Sequence, residues 1–258
     1  KARMVTVVPM ELGRETTESL SALLAAGRLV VLLPVGSVEP HGPHLPLATD
    51  TLISEAACRR AATRLGELPQ LTAVVAPAIP YGVTDYAAGF AGAISVPAAT
   101  LTAFVRAVVE AHIADGAAHV CVVNNHLEPA HDAAIRAAIE GIDGASIACP
   151  LTRRWGRTLS DEYKSGACHA GRYETSLVLA AAPDWVDRDR AAALPALTAS
   201  LSEGIKAGKK TFRELGMDAA YTGAPAEATG DEGDELLDKL ATMIVTEVSE
   251  ALGYATQQ

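Results

Sequence analysis

The segment Val30–Asp50 constrains this chain more than any other, because it joins an apolar run to a loop rich in ionisable residues. The run is rich in valine and leucine, which predicts a buried strand of a parallel sheet. The loop after it is punctuated by Gly and Pro. It carries four ionisable residues: Glu39, His41, His44 and Asp50. Such groups cost free energy to bury without partners, and a divalent metal ion is a common partner. The segment therefore predicts a metal or catalytic site.

Each residue in this loop also has an ordinary structural interpretation. Asp50 alone fits the N-cap of the following helix, and His44 alone fits a hydrogen-bonded loop histidine. Glu39 and His41 are harder to explain separately, because residues two apart in an extended segment point to the same side. We therefore expect these two side chains to converge on one point.

The composition indicates a globular protein. The 258 residues are 49% hydrophobic and carry a formal net charge of −10. This charge argues against nucleic acid or an anionic membrane surface as a partner, and no apolar run is long enough to span a bilayer. Four scattered cysteines have the spacing of neither a zinc finger nor a disulfide framework, which predicts a reducing, cytoplasmic location. They are Cys58, Cys121, Cys149 and Cys168.

Apolar periodicity predicts helices that alternate with strands along the whole chain. Strands are predicted at 29–35, 72–76, 119–123 and 145–149, and helices at 15–26, 51–65, 97–114, 130–139, 172–182, 197–207 and 232–252. Two long loops, 77–93 and 150–170, have the length typical of functional loops. With no linker or repeat, this order predicts one α/β domain over residues 1–258, with a mainly parallel sheet covered by helices on both faces.

A second cluster of ligand-type residues follows the third predicted strand. His126 and Glu128 repeat the two-residue spacing of Glu39 and His41. Because ligands of open α/β sheets bind beyond the carboxyl ends of the strands, we expect both clusters to face one crevice. The alternative for the second cluster is a surface pair that opens a helix.

The two clusters together hold more ligands than one tetrahedral zinc ion needs. The candidates are Glu39, His41, Asp50, His126 and Glu128. If one carboxylate bridges two ions, each ion has three protein ligands and keeps positions for water and substrate. The count therefore favours a dinuclear site.

A third group, Cys168–Ser176, contains a candidate for proton transfer. His169 lies between a loop and a helix start, where an imidazole titrates near neutral pH. It is placed to give a proton to a leaving nitrogen. Glu174 fits a first-turn helix acid favoured by the helix dipole.

Candidate substrate contacts lie on the two long loops. Arg153, Arg154 and Trp155 are suited to an anionic or planar group, and Tyr81 lies on the first loop. A solvated arginine pair beside a packed tryptophan is an equally good interpretation of the second loop.

These motifs together resemble the creatininase (creatinine amidohydrolase) family. The matching stretches are Leu33–Pro46 with Asp50, then Asn124–Glu128, then His169–Gly171 with Glu174–Ser176. The resemblance implies a three-layer α/β/α sandwich, often assembled as a homo-oligomeric hexamer. It also implies hydrolysis of linear or cyclic amides with two divalent ions, zinc or manganese, with iron as a further option.

The resemblance also assigns roles to individual residues. It implies that Glu39, Asp50 and His126 hold one ion. It implies that His41, Asp50 and Glu128 hold the other, with Asp50 as the bridge. His169 matches the proposed proton shuttle of the family, and Glu128 is a second catalytic candidate.

The expected reaction is cleavage of a C–N bond in a small amide by metal-activated hydroxide. A formamide deformylase or a keto-sugar or lactone hydrolase of the same family is the alternative. Relatives that cut precursor peptides tend to have a Gly pair after the histidine, where this chain has Leu127 and Glu128, which argues against a peptidase. A non-catalytic binding subunit predicts a degraded ligand set, whereas all five ligands are present.

Overall fold

The structure, a computed structural model, describes residues 9–254 and is built on a parallel five-stranded sheet in the order β1-β3-β2-β4-β5. The strands are β1 (Met10–Glu11), β2 (Arg28–Val35), β3 (Leu71–Val75), β4 (His119–Asn124) and β5 (Ala145–Ala148). All four strand pairings are parallel. The four predicted strands are confirmed, and β1 is an additional edge strand.

The central strands β2 and β4 are adjacent, and their register pairs Val35 with Asn124. Both residues are the last of their strands. The loops that follow them, with Glu39 and His41 on one and His126 and Glu128 on the other, therefore leave the sheet side by side. This is the crevice that the sequence predicted.

Ten helices surround the sheet within residues 9–254. They are α1 (Thr17–Ala26), α2 (Thr49–Leu65), α3 (Ala98–Ala114), α4 (Pro129–Ile139), α5 (Arg153–Gly156), α6 (Asp161–Ser165), α7 (Arg172–Ala181), α8 (Arg188–Ala193), α9 (Leu201–Lys206) and α10 (Gly230–Leu252). The loop predicted at 150–170 contains the short helices α5 and α6. Helix α9 is shorter than predicted, because Leu197 pairs instead with Gly223 in a β-bridge.

Alternate residues of β2 are buried against opposite helical layers, as the two-residue period of a strand requires. Val30 and Leu32 belong to an apolar cluster with residues of α2, α7 and α10. Val31 and Leu33 belong to a second cluster with residues of α3 and α4. The fold is therefore the predicted three-layer α/β/α sandwich.

Two further sequence-based expectations concern the cysteines, whose spacing is not that of a disulfide framework, and the apolar runs, which are too short to span a bilayer. All four cysteines are buried and unpaired. Among the described residues, none of the helices combines the length and the apolar character needed to cross a bilayer.

Candidate metal centre

Five buried ligand-type side chains meet beyond the carboxyl ends of β2 and β4. Glu39 and His41 come from the loop after β2, and His126 from the loop after β4. Asp50 and Glu174 come from the first turns of α2 and α7. Each of the five residues is at most 3% exposed.

Asp50 reaches the centre from inside helix α2. The sequence-based assignment of Asp50 as N-cap is wrong, because α2 begins at Thr49 and its N-cap residue is Ala48. Gly36, just after β2, allows this helix end to approach closely, since a Cβ there would lie 2.9 Å from Cβ of Asp50. The first turn of α2 therefore directs the Asp50 carboxylate into the crevice.

Two groups of three donor residues share Asp50, and a third group consists of Glu39, His41 and His169. In the first group, Nδ1 of His126 lies 3.2 Å from Oε1 of Glu39 and 3.0 Å from Oδ2 of Asp50. In the second, Nε2 of His41 lies 3.2 Å from Oδ1 of Asp50 and 3.5 Å from Oε2 of Glu174. Within each group the donor atoms lie within 4.8 Å of one another, so one ion can reach all three.

The backbone fixes which nitrogen of each histidine faces the carboxylates. Nδ1 of His41 lies 3.1 Å from the carbonyl oxygen of Glu39, and Nε2 of His126 lies 2.7 Å from that of Val83. Because a carbonyl only accepts, these nitrogens carry the hydrogen and donate it. In the neutral rings the opposite nitrogens hold lone pairs directed at carboxylate oxygens, which is the arrangement of metal-binding histidines.

Asn124 holds the backbone of His126 in place. Its side-chain amide donates to the His126 carbonyl at 3.0 Å, and its side-chain oxygen accepts from the His126 amide at 3.0 Å. The end of β4 thus fixes the position of the backbone that carries the His126 ring.

The charges of this cluster are strongly coupled. Burial alone would lower the pKa of His41, but the carboxylates of Asp50, Glu174 and Glu39 raise it to about 10. Burial raises the pKa of Glu174 to about 8, even though His41 acts against this change. Burial would also raise the pKa of Asp50, but His41 and His126 lower it. The cluster therefore favours added positive charge, either protons or cations.

Glu128 lies on the same cavity but belongs to none of the three groups of donor atoms. Its carboxylate accepts hydrogen bonds from the backbone amides of Asp85 and Tyr86, at 3.0 and 3.3 Å. Burial raises its pKa to about 7, although His126 and these amides favour the charged form. The structure thus places Glu174, rather than Glu128, beside His41 and Asp50.

His169 is stacked between His41 and Phe212, with ring centroids 4.4 Å from each. Nε2 of His169 donates to the carbonyl oxygen of Pro40 at 3.0 Å, and Nδ1 lies 3.8 Å from Oε1 of Glu39. Burial and the nearby His41 lower its pKa to about 4. His169 is therefore a neutral ring at the wall of the cavity near pH 7.

His44 behaves as the sequence suggested. It is buried, and its Nε2 lies 2.9 Å from the hydroxyl of Thr175. The interpretation as a hydrogen-bonded loop histidine is confirmed.

The family comparison decides what kind of protein carries this centre. Residues 14–248 match the family named Creatininase, described as creatinine amidohydrolase. The chain belongs to the creatininase family. It is an enzyme of the amidohydrolase type, as its relatives are hydrolases.

Two curated relatives illustrate the range of this family. The chain is 32% identical over 250 residues to a mycofactocin precursor peptide peptidase of Mycobacterium ulcerans (strain Agy99), an alignment that covers 93% of this chain and 90% of the relative. It is 31% identical over 211 residues to a creatinine amidohydrolase of Pseudomonas putida, covering 72% and 77%. The chain is similar to both kinds of enzyme at nearly the same identity, so Leu127 and Glu128 alone do not exclude a peptidase.

A solved creatininase structure has the same fold. The manganese form of creatininase superposes with a TM-score of 0.71 at 25% identity, and the match covers 94% of this chain and 98% of that chain.

The residues expected to bind substrate do not line the cavity of this creatininase-family chain. Arg154 pairs with Glu250 of α10 at 2.6 Å, and the indole of Trp155 donates to Glu247 at 2.6 Å. Tyr81 is 49% exposed and lines a different groove, beside α3. The inner cavity is lined instead by the centre and by a set of mostly apolar side chains. These include Tyr86, Leu127, Leu201, Ile205 and Phe212.

Two features of the site escaped the sequence reasoning. Its position alone predicts that Glu174 is a helix-start acid, although the third motif shared with the family contains it and could have indicated a role in the site. Phe212 contacts His169 from a segment without a recognisable motif, and nothing in its local sequence predicts that position.

Proposed function

We propose that this protein is a dinuclear metal-dependent amidohydrolase that cleaves a C–N bond of a small linear or cyclic amide. The observation that supports this most strongly is that Asp50 belongs to two of the three groups of donor atoms. One oxygen of Asp50 faces His126 and the other faces His41. A carboxylate in this position is suited to bridge two ions.

The residues fit two divalent ions. Nε2 of His41 and Oδ2 of Asp50 are buried and make no hydrogen bond within the described residues, although carboxylate oxygens lie within 3.7 Å of the first and an imidazole nitrogen lies 3.0 Å from the second. Such atoms are costly to bury unless they ligate a cation. Glu39, Asp50 and His126 would hold one ion, and His41, Asp50 and Glu174 the other. The mixture of carboxylate and imidazole suits zinc or manganese, with iron as a further option.

When bound, such ions lower the pKa of a water molecule and polarise an amide carbonyl. The protein's own contribution is proton transfer, for which there are two candidates. Glu128 has a pKa near neutrality, so it can accept a proton from water and give it to the leaving nitrogen. His169 has the alternative role of proton donor that the sequence suggested, and its low pKa makes it the weaker acid–base group at pH 7.

The size of the cavity and the family support a small substrate. The alternatives within the family remain a formamide deformylase and a keto-sugar or lactone hydrolase. The relative named as a precursor peptide peptidase adds a peptide bond to the set of amides to test. We further propose a cytoplasmic homo-oligomer, by resemblance a hexamer, which light scattering of the purified protein will check.

The test is metal analysis followed by a hydrolysis screen. We expect two equivalents of metal per chain after loading with zinc or manganese. The loaded enzyme should hydrolyse at least one class among cyclic ureas, lactams, formamides, short peptides and keto-lactones. Protein that retains less than one equivalent of metal, or that is loaded but inactive on every class, would contradict the proposed function.

A further inference from the structure

The outer part of the active-site crevice is basic, in a chain whose formal net charge is −10. A wider groove adjoins the inner cavity, and both are lined by Leu127, Cys168 and Ile205. The groove is also lined by Arg153, Arg157 and Lys164, which come from α5, from the residue after it and from α6. No carboxylate is among the described residues that line it.

The two groove arginines differ from their neighbour Arg154 in their partners. Arg154 is neutralised by Glu250 and lies 4.6 Å from the Trp155 ring, outside the groove. Within residues 9–254, neither Arg153 nor Arg157 has a carboxylate within 4.0 Å. The Nε of Arg157 donates a hydrogen bond to the backbone carbonyl oxygen of Arg153, at 3.0 Å.

Lys164 is partly neutralised. Its ammonium lies 2.6 Å from Asp161, whose side chain is fully exposed. The groove therefore presents two guanidinium groups and one weakly paired ammonium group to whatever enters it.

We propose that this groove selects an elongated amide that carries an acidic group, a carboxylate or a phosphate, at the end remote from the scissile bond. The inference depends on the proposed amide hydrolysis at the inner centre. Guanidinium groups form charge-assisted pairs with both kinds of acid. Leu127 and Ile205, between the centre and the arginines, provide an apolar surface for the middle of the substrate. The acidic end then lies where the positive charge is unpaired.

The kinetic test compares matched substrates that differ only in this charge. The carboxylate pair is an N-formyl dipeptide with a free carboxylate and the same compound as a carboxamide. The phosphate pair is N-formylethanolamine phosphate and N-formylethanolamine. We expect the metal-loaded enzyme to favour the acidic member of at least one pair in kcat/KM, and added salt to weaken that preference.

The arginine variants connect this preference to the groove. Arg153→Gln and Arg157→Gln should each raise KM for the acidic substrate about three- to fivefold, the effect of losing one exposed ion pair, and leave the neutral substrate unchanged. Arg154→Gln, on the same short helix, is the matched control and should change neither. A preference that survives the Arg153→Gln/Arg157→Gln double variant would overturn the proposal.

A binding measurement separates failure of this inference from failure of the proposed function. Calorimetry on the metal-loaded Glu128→Gln variant, with the acidic and neutral forms of the N-formyl dipeptide and of N-formylethanolamine, reports the groove without turnover. Tighter binding of an acidic form, lost in the double arginine variant, supports the groove even if these compounds are not hydrolysed. Equal binding of the acidic and neutral forms, or binding of neither, overturns the inference about the groove. The proposed function of the metal centre is tested separately, by metal content and amide hydrolysis.

Discussion

Nε2 of His41 faces Oε2 of Glu174 at 3.5 Å, although one residue follows β2 and the other opens α7. Both side chains are buried, and the second nitrogen of His41 is already bonded to the backbone of Glu39. Glu174 is in turn fixed by the amide of Ala170, which donates to its Oε2 at 2.6 Å. An acid that only interacts with the dipole at the start of a helix does not require a buried imidazole partner.

Replacing Glu174 should therefore remove one metal ion and leave the other. We expect Glu174→Ala to hold about one equivalent, because Glu39, Asp50 and His126 remain, whereas Asp50→Ala should hold none since both groups lose a member. Metal content after gel filtration, measured by inductively coupled plasma mass spectrometry, checks this expectation. Glu55→Gln, which changes a partly buried acid that pairs with Arg59 outside the centre, is the control and should keep two equivalents. Two equivalents in Glu174→Ala would exclude Glu174 as a ligand.

Replacing Glu128 should affect turnover far more than metal content. The backbone amides of Asp85 and Tyr86 hold its carboxylate at the cavity wall, outside all three groups of donor atoms. Glu128→Gln preserves the shape and removes the titrating oxygen, so kcat should fall about 10²- to 10⁴-fold, the usual contribution of general acid–base catalysis. Steady-state kinetics on protein with verified metal content will measure this. If the variant instead lost one ion, Glu128 would be a ligand, as the resemblance implied.

His169→Ala should keep both ions and slow turnover. The ring stacks on His41 and Phe212, and its Nε2 is bonded to the carbonyl of Pro40. His169 belongs to a group of donor atoms with Glu39 and His41, but to neither of the two groups that share Asp50. We expect a smaller loss in kcat than for Glu128→Gln, because a neutral ring with a pKa of about 4 is a poor proton donor at pH 7. Steady-state kinetics of the two variants, measured in parallel, show which of them loses more kcat. A larger loss in His169→Ala would assign the proton transfer to His169.

The sequence predicted what local patterns determine. The apolar run of β2 and the spacing of Glu39 and His41 place a polar cluster at a strand end, and the same reasoning applies to β4 and His126. The choice between Glu174 and Glu128 as ligand could not be predicted from the strands, because it depends on where α7 packs against α2 and α10. The packing of α7 is a tertiary property, so the motif around Glu174 does not by itself show that its side chain reaches His41 and Asp50.

The predicted substrate contacts do not line the inner cavity, for a physical reason. Arg154 and Trp155 have the chemistry of ligand-binding residues, but carboxylates of α10 satisfy them. Those partners lie far away in sequence. The pairing of Arg154 and Trp155 with Glu250 and Glu247, rather than with a ligand, therefore cannot be predicted without knowing how the helices pack. Arg153, one position earlier on α5, lines the groove instead.

Acid should destabilise the fold partly through His119, far from the centre at the start of β4. Burial, together with the charge of Arg28, lowers the pKa of His119 to about 4 from an ordinary 6.5. The unfolded chain thus binds a proton that the folded chain resists, so this stability is fully present above pH 6.5 and is lost as pH falls toward 4. Between pH 7 and 4.5 the wild type should lose about 2–3 kcal/mol more than His119→Asn.

Urea unfolding at a series of pH values measures this difference. Asn retains a polar group for the hydroxyl of Ser146, which lies 2.8 Å from Nε2 of His119, and it does not titrate. Parallel curves for wild type and variant would show that His119 makes no such contribution.

Gly233 allows helices α10 and α7 to touch, and its replacement should disturb both the fold and the centre. A Cβ at Gly233 would lie 1.8 Å from the backbone oxygen of Ser176, whereas one at Gly230, on the same helix, would meet nothing within 4 Å. Gly233→Ala should lower the free energy of unfolding by about 1–3 kcal/mol, because the backbone of α7 must move. Gly230→Ala should leave it unchanged or raise it by up to about 1 kcal/mol.

The displacement of α7 should also reach Glu174, two residues before Ser176 on the same helix. We therefore expect Gly233→Ala to bind the second ion more weakly than wild type, and Gly230→Ala to bind it equally well. Chemical unfolding of the metal-free proteins separates the packing effect from ligand stabilisation, and metal titration measures the second effect. A destabilised Gly233→Ala variant with unchanged metal affinity would show that α7 adjusts without moving Glu174, and would separate the packing of α10 from the geometry of the centre.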